Sequence, residues 1–333
     1  MLHRDNESDA MKVPPRSTVR DLDVIVAGVS NIDIIGRTID LKHPPPLGAL
    51  QTIESVSMTT GGVVSNVAID LATLGFRVGV VSRIGKDSFG GFLRSRLEMH
   101  GIFPEGIVVD PGRQTSATIV TVAGNGERTF FHARGSMENF RVEDVLEQMD
   151  VVRRGRLFVF GYFGLLPECD DSLGHMFRSV RQKTGMLSIL DAGAHPGRDA
   201  SLLQTILPEV DFFFPSRDEA CALTGEKEPQ RIVAAFRDAG ARGVVGVKLG
   251  AEGCYVSWEK RAKRIPARKV RKVVDTTGAG DAFIAGFSAG VLEGLDPFAA
   301  AALGNDVAAS SLGEIGASTG IKPLKKYLRN RKH

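Results

Sequence analysis

The chain has 333 residues, 43% of them hydrophobic and 24% charged, with a formal net charge of +3, a balance that suits a large buried core and excludes a disordered or fibrous chain. Cys169, Cys221 and Cys254 are far apart and odd in number, which excludes a disulfide framework or a CxxC metal site. A reducing, cytoplasmic compartment is the expectation. The longest apolar run, Leu157 to Leu166, is far short of the ~20 residues of a membrane helix, and the polar segment Met1 to Val19 lacks the apolar stretch of a secretion signal.

Residues 1–20 read as a flexible polar lead-in to one domain over 21–333. Asp23–Gly28 is a short apolar strand ending in glycine. Asn66 to Leu74 carries Val67, Ala68, Leu71 and Leu74 at helical spacing, and Gly75 stops it. Val78 to Val81 is a β-branched strand. Asp87 caps a helix whose apolar face is Phe89, Phe92, Leu93 and Leu97, ended by Gly101. Asp171 or Ser172 opens another, with Leu173, Met176, Phe177 and Val180 on one face and Gly185 at its end. Leu187–Leu190, Phe212–Phe214 and Val244–Leu249 are further buried strands. This alternation predicts a three-layer, doubly wound α/β fold with a mostly parallel sheet. Two segments, about 34–60 and 113–134, break the pattern. The first holds Pro44-Pro45-Pro46 and the period-two stretch Ser55 to Thr60, and the second two strands around a Gly124-Asn125-Gly126 turn. Together they predict a small β-strand lid, whose edge strands would be satisfied by pairing two lids in a homodimer.

Chemistry concentrates where glycines follow strands. In Val273-Val-Asp-Thr-Thr-Gly-Ala-Gly-Asp281 a strand-like stretch turns through small residues into the apolar helix Ala282 to Leu292. The N–H groups of Gly278, Ala279 and Gly280 then lie at the positive end of a helix, a ready phosphate or oxyanion site. Asp281, in the first turn, could take a proton from an alcohol attacking a phosphate; turn-forming glycines with a capping acid would look the same. Gly61-Gly62-x3-Asn66 brings glycine backbone and an amide to the same sheet edge. Gly28-x-x-Asn31-x-Asp33 offers an amide and an acid that could hydrogen-bond vicinal hydroxyls, or simply form a turn.

Taken together, these motifs resemble those of the ribokinase-like (PfkB) carbohydrate kinases. Asp275-Thr-Thr-Gly-Ala-Gly-Asp-Ala-Phe-x-x-Gly286-Phe matches the family's C-terminal motif. Gly61-Gly62-x3-Asn66-x-Ala-x2-Leu-Ala-x-Leu-Gly75 and Arg83-x-Gly85-x-Asp87-x-x-Gly90 match its N-terminal one, in the family's order. The resemblance implies ATP- and Mg²⁺-dependent phosphorylation of a hydroxymethyl group on a small sugar or sugar-like alcohol. It makes Asp281 the base and Gly278, Ala279 and Gly280 the anion hole, with Asn31, Asp33, Gly61, Gly62 and Asn66 holding the acceptor. It makes Lys248, Gly250, Gly253 and Asn305 the ATP side, and Glu219 the residue that meets magnesium through water. Asp275, Thr277, Ser311 and Gly316 fall where many members bind a monovalent cation such as K⁺, largely through carbonyl oxygens.

The sequence departs from the family at Ser216-Arg-Asp-Glu219, where an Asn commonly stands in place of Ser216, and at Lys248, where Thr is frequent. Other nucleotide enzymes fit poorly. Gly79-x5-Gly85-Lys86-Asp87 has the wrong spacing and no Ser/Thr for a P-loop, and Gly28-Val-Ser-Asn31 lacks the dinucleotide fingerprint. A nucleoside kinase of the same family and a catalytically silent sugar- or nucleotide-binding regulator are the competing readings. Lys260 to Lys272 holds eight basic residues and Ile321 to His333 six Lys/Arg; without them 28 basic residues face 39 acidic ones. No aromatic breaks the first run, so it predicts a solvated strand edge rather than a nucleic-acid surface.

Overall fold

The computed structural model describes residues 12–40, 42–193 and 200–329. Most of the lead-in expected over 1–20 lies outside them, and residues 12–20 form neither helix nor strand. Thirteen strands follow among the described residues: β1 (Val24–Gly28), β2 (Asn31–Arg37), β3 (Ser55–Gly61), β4 (Val78–Gly85), β5 (Phe103–Asp110), β6 (Ala117–Val122), β7 (Arg128–Ala133), β8 (Leu157–Phe163), β9 (Leu187–Ala192), β10 (Phe212–Phe213), β11 (Val244–Lys248), β12 (Cys254–Trp258) and β13 (Arg261–Ile265).

Nine of them form one sheet in the order β13-β12-β11-β10-β9-β8-β1-β4-β5. All pairs from β11 to β5 are parallel, and β12 and β13 add an antiparallel edge. Side-chain alternation divides the strands between two cores. Val24, Val26, Val78, Val80, Leu157 and Val159 pack with the helices Gly62–Leu74, Ala279–Leu292 and Pro297–Ser311. Ile25, Ala27, Phe158 and Phe160 pack on the other side with the helices Leu173–Thr184 and Pro229–Asp238. Burial on both faces is why these strands are apolar at nearly every position.

The helix punctuation is physical as well. Gly75 and Gly185 take left-handed conformations after their helices, and the Asp87 carboxylate accepts from the Gly90 N–H at 2.8 Å. From β1 the chain builds outward to β4 and β5, then returns to place β8 on the other flank of β1. The strand order therefore reverses between β1 and β8, where open α/β sheets hold ligands beyond the strands' carboxyl ends. Backbones crowd there: a Cβ on Gly28, whose φ is +125°, would stand 1.9 Å from the Gly161 carbonyl oxygen.

The two irregular segments assemble as a separate four-stranded sheet ordered β3-β2-β6-β7, the expected lid. It begins earlier than its sequence predicted. Asn31 and Asp33 are not in a turn after β1 but on β2, paired antiparallel with β3 and parallel with β6. The basic run supplies β13, exposed from Arg261 to Arg264, where the Arg261 guanidinium stacks over Trp258 at 4.9 Å.

Candidate active site

The small-residue turn and the helix Ala279–Leu292 meet the sheet beyond the ends of β8, β9 and β11. Gly278 turns the chain with φ +73°, and a Cβ there would lie 2.5 Å from that of Ala317, so only glycine brings the turn this close to the 313–320 loop. No side chain caps this helix; the Ala279 N–H turns back to the Thr276 carbonyl at 3.3 Å, and the N–H groups of Gly278 and Gly280 beside it are left for an anion. Asp281 is buried in the first turn. Its Oδ2 accepts from the Asn66 amide at 2.8 Å, and the Tyr162 hydroxyl donates to the carboxylate at 2.8 and 3.0 Å. Burial raises the Asp281 pKa from its ordinary value, against the pull of Asn66, Tyr162 and Lys248.

Lys248, at the end of β11, reaches the same place. Its Nζ is 3.3 Å from where a Cβ on Gly280 would stand, and it donates to Asp191 Oδ1 at 2.6 Å. Burial pushes Asp191 up to about 7, with Lys248 opposing and Glu219 and Asp281 reinforcing. Lys248 stays protonated, because Asp191, Glu219 and Asp281 outweigh the cost of burying its charge. Three carboxylates thus face one ammonium. Glu219 Oε2 accepts from the Ser216 N–H at 2.6 Å and the Ser216 hydroxyl accepts from the Glu219 N–H at 3.3 Å, a capping box that fixes the acid at its helix start. Gly250 and Gly253 shape the turn after β11, where the Leu249 N–H reaches the Gly253 carbonyl at 2.7 Å. Asn305 spends its amide on the carbonyls of Ile265 and Pro266, at 3.1 and 3.2 Å.

The lid presents one side of its pleat to this site. Cross-strand partners Asn31 with Gly61, Asp33 with Thr59 and Thr118, and Thr118 with His132 share a face. Asn31 Nδ2 donates to Asp33 Oδ1 at 2.6 Å and to Thr118 Oγ1 at 3.2 Å, and Thr118 Oγ1 meets His132 Nδ1 at 2.9 Å. Burial raises Asp33 and, with Arg134 nearby, lowers His132. Alternation along β7 puts Phe130 and Arg128 on the same face. Gly62 completes the approach, since a Cβ on it would lie 2.6 Å from the Val29 carbonyl oxygen.

Arg128 crosses from the lid to the loop before the helix Ala279–Leu292. It donates to Asp275 Oδ1 at 2.8 Å and to the Thr277 hydroxyl. Asp275 also accepts from the Thr277 N–H at 2.8 Å and the Gly316 N–H at 3.1 Å. Burial alone would raise its pKa; these donors outweigh it and hold the carboxyl at about 2. Ser311 turns its hydroxyl to its own helix, on the Ala308 carbonyl at 2.9 Å. Tyr162, Asp191, Thr118, His132 and Arg128 were not singled out from the sequence. An acid or tyrosine closing an otherwise apolar strand was the available signal for two of them, Asp191 and Tyr162.

Comparison with known proteins gives the family and the fold. A model of the pfkB family carbohydrate kinases matches residues 22–323. The chain is 28% identical over 301 residues to 2-dehydro-3-deoxygluconokinase of Bacillus subtilis, covering 87% of this chain and 92% of that protein. It is 30% identical over 249 residues to fructokinase-2 of Zea mays, covering 72% of this chain and 74% of that one. In fold it is similar to Arabidopsis thaliana ribokinase, solved with ribose and ATP, at a TM-score of 0.80 and 23% identity, covering 92% of this chain and 98% of that one. Ribokinase from Thermotoga maritima aligns at a TM-score of 0.78 and 24% identity, over 94% of this chain and 100% of that one. The chain belongs to the pfkB family of carbohydrate kinases.

Proposed function

We propose that this kinase transfers the γ-phosphoryl group of ATP to a hydroxymethyl group of a small sugar or sugar-like polyol. Asp281 serves as the base and Gly278, Ala279 and Gly280 as the anion hole. The observation that carries the reading is the convergence at one helix start, uncapped by any side chain, of backbone N–H groups, the buried Asp281 carboxylate and the Lys248 ammonium. An alcohol is too weak an acid to ionise alone near neutrality. Its proton moves to Asp281 as the bond to phosphorus forms, while the N–H groups and Lys248 take up charge on the transferring oxygens.

The lid face supplies the acceptor's hydrogen bonds. Asn31, Asp33, Thr118 and His132 suit vicinal hydroxyls, and Phe130 suits the apolar face of a sugar ring. The relatives named for ketodeoxy-sugar and fructose phosphorylation support an acceptor of this class over a nucleoside. Gly250, Gly253 and Asn305 shape the nucleotide side.

Magnesium fits this chemistry. Among the described residues no cluster of three or more His, Cys, Asp or Glu could cage a metal, but three acids, Asp191, Glu219 and Asp281, gather around the single Lys248 ammonium. Glu219 and Asp191 would hold the ion through water alongside the nucleotide, and its chemistry is to neutralise phosphate charge. The Asp275 carboxylate is taken by Arg128 and two N–H donors, so a monovalent cation at Asp275, Thr277, Ser311 and Gly316 would be met largely through carbonyl oxygens, and no step is assigned to it.

The outer lid face carries the cross-strand row Met58, Ile34, Ile119 and Phe131, with Ile119 and Phe131 more than half exposed, and a second copy of the chain packing on this row gives a homodimer. Cys169 and Cys254 are buried, and among the described residues no helix is long and apolar enough to cross a membrane.

ADP release measured over pentoses, hexoses, ketodeoxy sugar acids and nucleosides tests the reading. A sugar or sugar acid is expected to raise turnover well above the acceptor-free rate. Stimulation by nucleosides alone contradicts the acceptor class, and stimulation by nothing in the panel favours a silent regulator.

A further inference from the structure

We propose that Tyr162 is a positioning residue for the phosphoryl transfer, acting through its hydroxyl on the Asp281 carboxylate. The inference rests on the reading of Asp281 as the base.

The strand itself is distorted to bring this side chain there. Phe158 and Phe160 lie in the core beneath the helix Leu173–Thr184, and strict alternation would send Tyr162 after them. Asp281 instead belongs to the helix Ala279–Leu292, whose apolar residues pack in the opposite core. The pairing of β8 with β9 slips between Phe160 and Phe163, and such an irregularity re-aims a side chain. Tyr162 consequently packs against both cores, with its hydroxyl 2.8 Å from Asp281 Oδ2 and 3.0 Å from Oδ1. The neighbouring backbone is cut back to admit it: a Cβ on Gly193 would sit 2.9 Å from the Tyr162 Cβ.

The hydroxyl can only donate here. Burial, with Asp281, Asp191 and Glu219 around it, raises the phenol well above its ordinary pKa, so it stays protonated at any working pH. One donated proton, shared between the two oxygens, leaves carboxylate lone pairs for the acceptor's hydroxyl. The groups facing Asp281 are Asn66 and the buried Asp70 from the helix Gly62–Leu74, Asp191 from β9, Glu219 from its capped helix and Lys248 from β11. Three of these five are acids that discourage a further negative charge. Asn66 and Tyr162 are the hydrogen-bond donors to the carboxylate, and both favour its ionised form.

Tyr162→Phe removes the hydroxyl and keeps the ring. Losing a donor to the charged form raises the pKa of Asp281, so the acid limb of the kcat/KM profile should move to higher pH. At the pH optimum kcat should fall about tenfold, as for a lost hydrogen bond to a charged group, with ADP affinity unchanged. Replacing the tyrosines, three in the whole chain, with 3-fluorotyrosine tests the reverse without truncation. The more acidic phenol is a stronger donor, and the limb should move to lower pH. A limb that stays in place in both proteins overturns the inference. Asp281→Asn separates the two claims. If that variant is inactive while Tyr162→Phe keeps the wild-type profile, only the role of Tyr162 falls. If Asp281→Asn turns over at the wild-type rate, the base assignment falls first.

Discussion

A methyl group added to Gly61 would stand 2.3 Å from Asp33 Oδ2 and 3.0 Å from Asn31 Nδ2, inside the pair proposed to hold the acceptor. The backbone there is extended and imposes no strain on alanine, so the effect of Gly61→Ala is confined to that collision. Steady-state kinetics should show the acceptor KM rising at least about tenfold, equivalent to ~1.4 kcal/mol, with the ATP KM nearly unchanged. An unchanged acceptor KM would remove Asn31 and Asp33 from the sugar site. Gly61, Asn66 and Asp281 were legible in the sequence because each sits at a short, fixed offset within a strand–turn–helix segment. Tyr162, Asp191 and Arg128 were not, because their partners Asp281, Lys248 and Asp275 lie 119, 57 and 147 residues away. Glu219 was legible in part. Its spacing from Ser216 marks a capping box equally well, and in the structure it forms one.

Among the elements, the lid is where pattern and structure agree and also where they part. The period-two stretches gave β3, β6 and β7, since one polar and one apolar face survive in a sheet open to solvent. β2 was missed because Asn31 and Asp33 look like turn formers, and only the pairing with β3 and β6 makes them strand residues. β7 then acts on the other half of the site through Arg128, whose fork spans Asp275 and Thr277 just before the anion hole. Arg128→Ala should lower kcat about tenfold, the scale of a lost charged hydrogen bond. The melting temperature should move by less than about 3 °C, because a partly exposed ion pair adds little stability. Arg128→Lys should not restore the rate, since an ammonium lacks the planar fork. Wild-type kcat in both variants would show that the bridge from lid to loop is incidental to turnover.

At the scale of the whole molecule, strand–helix alternation announced the doubly wound sheet, but not its order. Nothing local to Leu157–Phe163 says that β8 returns to the flank of β1 while β4 and β5 occupy the other, yet that reversal opens the crevice. The solvated strand edge expected of the basic run is β13, exposed from Arg261 to Arg264, but its place at the end of the sheet, remote in pairing from β8 and β1, is set only by the strand order. The fold gathers the proposed anion hole, Lys248 and the proposed acceptor face around one carboxylate, that of Asp281. Asp281→Asn preserves the size of the side chain and its acceptor oxygen, so folding and ATP affinity should change little. The carboxylate that takes the acceptor's proton is lost, and removing a positioned base typically costs ~10²–10⁴ in rate. The decisive measurement is kcat of Asp281→Asn with the best acceptor, beside its ATP dissociation constant. A loss of at least ~100-fold with ATP binding retained is expected; a variant that keeps more than about a tenth of wild-type kcat, outside that range, would leave Asp281 a structural carboxylate that only holds Asn66 and Tyr162, and would contradict its role as the base.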